Sequence, residues 1–140
     1  MKNSFKVRDP DFERRVRENF EQQRVMQLIG AKLGAVEPGV VEIAVPFRDD
    51  LTQQDGYIHA GIVTTILDSA CGYAAYTLMP AGSSVLSVEF KVNLLAPAKG
   101  TTIRARAEVK RAGRTLTVCS ADAWADDSLC ATMLATMICR

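Results

Sequence analysis

Residues 55–78 read DGYIHAGIVTTILDSACGYAAYTL, and the fold turns on how this stretch is read. It holds the only histidine of the chain, His59, and a long apolar run interrupted by a single carboxylate, Asp68. Two rows with a spacing of four, Ile62–Ile66–Ala70–Ala74–Leu78 and Val63–Leu67–Cys71–Ala75, lie side by side on one helix over 61–78. At the helical rise that span is roughly 27 Å. With almost no charge on any side, the helix is expected to be buried, not laid on a surface. A bare carboxylate on such a helix costs several kcal/mol unless it is hydrogen-bonded or titrates. The neighbours of Asp68 three and four positions away are Thr64, Thr65, Cys71 and Gly72, so no ion pair along the helix accounts for it. It also lies too deep to be a cap. Two readings remain, a structural acid hydrogen-bonded to Thr64 or Thr65 and a catalytic one.

The residues that lead into the helix favour the catalytic reading. GYIHAG (56–61) places the unpaired N–H groups of a first helical turn at an open mouth, where they and the helix dipole favour a developing oxyanion. Ala60 and Gly61 are small enough for a carbonyl to approach. His59 either orients this turn through a hydrogen bond, sits half-buried, or acts on the leaving thiol or carbonyl. Cys71 has no base near it in sequence and reads as core.

Downstream the period changes to two. Leu86, Val88, Phe90, Val92 and Leu94 alternate with Ser87, Glu89, Lys91 and Asn93, which groups Ser87 with the charged residues. APAKG (96–100) reads as a turn, and strands follow over 103–109, 115–125 and 129–138. Such short connections suit an antiparallel meander. Upstream, Pro10 after Asp9 starts an amphipathic helix with Phe12, Val16 and Phe20 inward. VMQLIGAKLG (25–34) adds a further turn that Gly34 ends, and Pro38–Gly39 turns a strand pair over 35–47. The expected organisation is a single domain, 1–140, with a helical segment at 1–33 and a core at 34–140.

Composition bounds the function. Hydrophobic residues are 48% and charged residues 24% of the 140, the balance of an ordinary globular protein. A net charge of +1 gives no broad field for nucleic acid or membrane, and the basic residues near the N-terminus are interleaved with acids on what reads as a solvated face. No apolar run is long enough for a membrane span, and MKNSFKVRDPDFERR lacks a signal-peptide core, so a cytoplasmic protein is expected. The four cysteines form no C-x-x-C pair and are expected as reduced thiols. One histidine and scattered cysteines offer no metal-ligand cluster, so no metal and no cofactor are expected.

Gln53-Gln54-Asp55-Gly56-Tyr57-Ile58-His59-Ala60-Gly61, with Asp68 nine positions after the histidine, resembles the signature of the hotdog-fold thioesterases, in particular the PaaI-like acyl-CoA thioesterase group. SVEFKVNLLAPAKG (87–100) resembles the strand and Pro-Ala turn that follow it. The resemblance covers essentially the whole chain. It implies an α+β hotdog fold, an antiparallel sheet wrapped around one long central helix, with an N-terminal helix. It implies hydrolysis of an acyl-CoA thioester, with Asp68 activating water or attacking the thioester itself. Gln53 would position the water or carbonyl, the Ala60 backbone amide would polarise the thioester oxygen, and Ser87 matches a polar residue near the acid. In that family two subunits join their sheets, and each site takes the acid from one chain and the amide from the other, so a homodimer or a tetramer of two dimers is expected. The chain has His-Ala-Gly where His-Gly-Gly is commoner; the main-chain donor survives, while the methyl narrows the approach.

Lys99, Arg111 and Arg114, at turns, are the basic residues available to CoA phosphates. The competing readings are a hotdog hydratase or dehydratase and a non-catalytic acyl-CoA-binding protein. A DNA-binding version would need a further basic helical motif ahead of the first strand.

Overall fold

The computed structural model describes residues 4–140; residues 1–3 of the expected helical segment lie outside the described residues. The elements run α1 (Phe12–Gln22), α2 (Arg24–Ile29), β1 (Lys32–Glu37), β2 (Val40–Pro46), a 3₁₀ turn (Asp49–Leu51), α3 (Ala60–Tyr76), β3 (Val85–Leu94), β4 (Thr102–Ala112), β5 (Leu116–Ala125) and β6 (Ser128–Cys139). All six strands form one antiparallel sheet in the order β1-β2-β4-β5-β6-β3. α3 lies across it, packed on β2 through β6.

Alternation decides what meets the helix. Val41, Ile43 and Val45 of β2, and Ile103, Ala105, Ala107 and Val109 of β4, are buried beneath it. β5 and β6 add Cys119, Ala121, Ala123, Ala131 and Ala135, a floor of small residues that lets α3 sit close to the sheet. From the helix side Ile66 and Leu67 are wholly buried, each contributing about 1.5–3 kcal/mol.

The structure departs from the sequence reading in four places. The first helical segment ends at Gly30, whose φ of 74° is left-handed, and β1 already begins at Lys32, so Gly34 lies within a strand. Arg15 is not part of a solvated face. Its Nε lies 3.2 Å from Asp9 Oδ2, both side chains are largely buried at 16% and 10% exposure, and its guanidinium lies over the Tyr76 ring. Arg15 also donates at 2.9 Å to the carbonyls of Tyr76 and Met79, satisfying the C-terminal end of α3 with a cation where the helix dipole favours one.

APAKG is not a hairpin turn. Residues 95–101 cross from β3, beside β6, to β4, beside β2, a distance of about 14 Å or three strand spacings. Only β4, β5 and β6 therefore form a meander. Finally, the β3–β6 register shifts between Ser87 and Glu89. This bulge at Val88 reverses the alternation, so Ser87 shares the helix-facing side with Phe90 and Val92 instead of pointing away with Glu89 and Lys91.

Candidate functional site

The loop before α3 folds back on itself. Gln53 Oε1 accepts from the backbone N–H of Asp55 at 2.6 Å and of Tyr57 at 3.3 Å, around Gly56 at a φ of 85°. This leaves Gln53 Nε2 without a protein partner among the described residues. Ile58 bridges Thr52 on one side and Ala98 on the other, tying the loop to the crossover. His59 is the N-cap of α3. Its Nδ1 accepts the Gly61 N–H at 2.8 Å and its own N–H donates to the Leu51 carbonyl at 3.0 Å. The histidine is exposed, not half-buried, and it makes the hydrogen bond that the orienting reading requires.

These bonds sort the donors at the helix mouth. The Gly61 N–H, one of the first-turn donors, is already committed to His59. The N–H groups of Ile62 and Val63 go to the His59 carbonyl. The Ala60 N–H has no acceptor among the described residues. Ala60 and Gln53 line one cleft of about 470 Å³, with Tyr57 and Val63 on the helix side and Leu94 and Pro97 on the crossover side.

Asp68 lies about 12 Å further along α3, eight residues at the helical rise. Its Oδ1 accepts from Ser87 Oγ at 2.6 Å, the side chain that the bulge in β3 turns inward. Thr64 and Thr65 do not bond the acid; their hydroxyls donate to the carbonyls of Ala60 and Gly61 at 2.8 and 2.7 Å. Asp68 is also not fully buried, but half-open to a second cleft of about 130 Å³. That cleft brings in residues the sequence reading left unassigned, Asn19 of α1 and Gln23 between α1 and α2, with Tyr73 and Gly72 of α3. The Tyr73 hydroxyl donates to Asn19 Oδ1 at 3.0 Å, and Gln23 and Ser69 exchange bonds beside it. Burial, reinforced by Tyr76, pushes the Tyr73 phenol up to about 12, so it stays a neutral donor.

The remaining candidates scatter. Lys99 is exposed on the crossover next to the larger cleft. Arg111 lies at the other end of α3, near Leu78, and Arg114 on the adjoining β4–β5 hairpin. Cys71 is buried in the core with its thiol pushed up by burial, and Cys119 up to about 12 for the same reason, which leaves no activated nucleophile there. Among the described residues no group of three or more His, Cys, Asp or Glu side chains could hold a metal, and no helix is long and apolar enough to cross a membrane.

Comparison with known proteins fits this arrangement. Residues 55–132 match the family described as the thioesterase superfamily. A thioesterase family protein from Silicibacter pomeroyi has the same structure with a TM-score of 0.89 and 50% identity, over 91% of this chain and 97% of that one. The E. coli PaaI protein from the phenylacetic acid degradation operon superposes with a TM-score of 0.85 over 95% of each chain at 14% identity. A thioesterase from Haemophilus influenzae gives 0.80 at 20% identity, over 99% of this chain and 93% of that one. The last two show the shared hotdog fold alone.

Proposed function

The chain belongs to the thioesterase superfamily, a family of thioester and ester hydrolases, and from that premise we propose that it is a cytoplasmic acyl-CoA thioesterase with a site shared between two copies. One observation carries the reading: Asp68 and the unpartnered Ala60 N–H open on separate clefts of the same helix. A thioester carbonyl, with a donor on oxygen and a nucleophile approaching carbon, bridges only about 7 Å. A gap of about 12 Å along one helix is too wide for both groups to act on the same carbonyl. A second copy supplies the missing half.

The sheet offers the place for that copy. β3 is an edge strand with both faces bare: Leu86, Val88, Phe90 and Leu94 are 50, 55, 43 and 54% exposed. An apolar, unpaired edge of this length is expected to be covered by another chain. Pairing β3 with its twofold mate continues the sheet and gives a homodimer, which two dimers can double to a tetramer.

In that site the Ala60 N–H of one chain holds the thioester oxygen as it gains charge. Asp68 of the other chain either takes a proton from water that attacks the carbonyl carbon, or attacks that carbon itself to form an anhydride that water then opens. The C–S bond breaks in both routes, giving the free acid and CoA. Ser87 orients the carboxylate, and Gln53 uses its free Nε2 on the water or carbonyl. His59 acts by capping the helix, which supports hydrolysis over hydration of an enoyl chain. Lys99 beside the mouth meets the CoA phosphates; Arg111 and Arg114, at the far end, reach them only from the partner copy.

The test is thiol release from a panel of acyl-CoAs, run beside hydration of an enoyl-CoA. Thiol release without hydration is expected. Hydration without thiol release contradicts the proposal.

A further inference from the structure

Gly72 is out of place by the rules of helix formation. It sits inside α3, four residues after Asp68 on the same side, where glycine is among the poorest helix formers. A packing reason would show as a neighbour too close for a side chain. None exists: a Cβ built on Gly72 meets nothing within 4 Å. The same cleft holds Asp68, and its lining is polar except for Val85 and Met137. Asn19 of α1 and Gln23 just after it reach in, and Ser69 and Tyr73 meet them in a connected set of hydrogen bonds.

We propose that Gly72 sets the acyl specificity: the missing side chain opens a chamber beside Asp68 that takes a short acyl group carrying a hydroxyl or similar polar substituent. The reaction in this statement rests on the hydrolase reading; the shape of the chamber does not. A cleft of about 130 Å³ has room for the equivalent of about four waters, which suits a short acyl chain of about four heavy atoms past the carbonyl. An aliphatic tail there would leave the amides of Asn19 and Gln23 facing a methyl group, whereas a hydroxyl joins their network.

The test uses acetyl-CoA, 3-hydroxybutanoyl-CoA and 3-methylbutanoyl-CoA, the last two alike in shape and differing by a hydroxyl for a methyl. Wild type is expected to prefer the hydroxyl compound. In Gly72→Val, the ratio of kcat/KM for 3-hydroxybutanoyl-CoA over acetyl-CoA should fall by about 10- to 200-fold, the scale of a methylene-sized misfit, with a smaller fall for Gly72→Ala. Because the position is open, Gly72→Ala should raise Tm by about 2–5 °C. In parallel, 3-hydroxybutanoate and acetate are titrated into wild type and Gly72→Val by NMR, with selective weakening of 3-hydroxybutanoate expected in the variant. An unchanged ratio in Gly72→Val, a lower Tm for Gly72→Ala, a preference for the methyl compound, or no binding of 3-hydroxybutanoate to wild type overturns the proposal. If wild type releases thiol from none of the three but does so from other members of the acyl-CoA panel, the short-acyl assignment is overturned. If it releases thiol from no acyl-CoA at all, the hydrolase reading fails and the titration decides the chamber by itself.

Discussion

Replacing Ala60 by proline removes one hydrogen-bond donor and sets a ring methylene in its place, with little cost to the fold. Ala60 is the first residue of α3, the helical position where a proline ring fits without a clash. The residue before a proline must be extended, and His59 already is, at φ −57° and ψ 137°. The His59 cap uses the Gly61 N–H, and Thr64 Oγ1 uses the Ala60 carbonyl, so both bonds survive the change. The lost N–H has no protein partner among the described residues, so the fold forfeits no hydrogen bond. Restricting the unfolded chain should even add about 0.4–1 kcal/mol of stability. Catalysis fares differently. Removal of one oxyanion donor costs about 10²–10³ in kcat, or about 2.7–4 kcal/mol. The assay is thiol release with kcat and KM separated, alongside a thermal melt, with Ala60→Gly as the companion that keeps the N–H and loses only the methyl. Ala60→Gly should stay active and accept bulkier acyl groups. A folded Ala60→Pro with near-normal kcat would refute the oxyanion assignment.

Asp68→Asn keeps the size of the side chain and removes the base or nucleophile, so steady-state kcat should fall by about 10²–10⁴ while the thermal midpoint holds. Arg15→Ala removes the guanidinium from Asp9 and from the carbonyls that end α3, and denaturant titration should show a loss of about 2–4 kcal/mol. For the buried thiols the sign is set by burial, which raises Cys71 and Cys119 and keeps both protonated through the neutral range. A disulfide thiol reagent at pH 8 should therefore label neither until denaturant is added, as peptide mapping can read.

The central helix was legible because its apolar rows and its lone acid are local features of 55–78. The mouth was legible as a helix start for the same reason, while the donor role of Ala60 came from the family resemblance and is a proposal. That the Gly61 N–H is taken up by His59 Nδ1 was not legible, because that bond depends on a side-chain rotamer. Ser87 was grouped with the wrong face because a bulge at Val88 breaks a period that looks unbroken in the letters. The crossover at 95–101 has turn chemistry, and turn chemistry does not say which strand the chain joins next. Asn19 and Gln23 line the acid's cleft through bonds to Tyr73 and Ser69, 54 and 46 positions away in sequence, a proximity that only packing of the N-terminal helical segment against α3 creates. Gly72 was visible as a glycine inside a helix, four residues from the acid, and that spacing was the signal available for the chamber.

The central claim is that each site draws its acid from one chain and its amide from another, and mixing two disabled variants tests it. Asp68→Asn and Ala60→Pro are each prepared as homodimers, dissociated, mixed in equal amounts and reassociated. In a mixed dimer one site inherits both defects and the other inherits neither. Random pairing makes half the dimers mixed, so recovery of about a quarter of wild-type turnover is expected. A site contained within one chain would have no intact copy in any pairing, and turnover no higher than that of the separate variants would contradict the account.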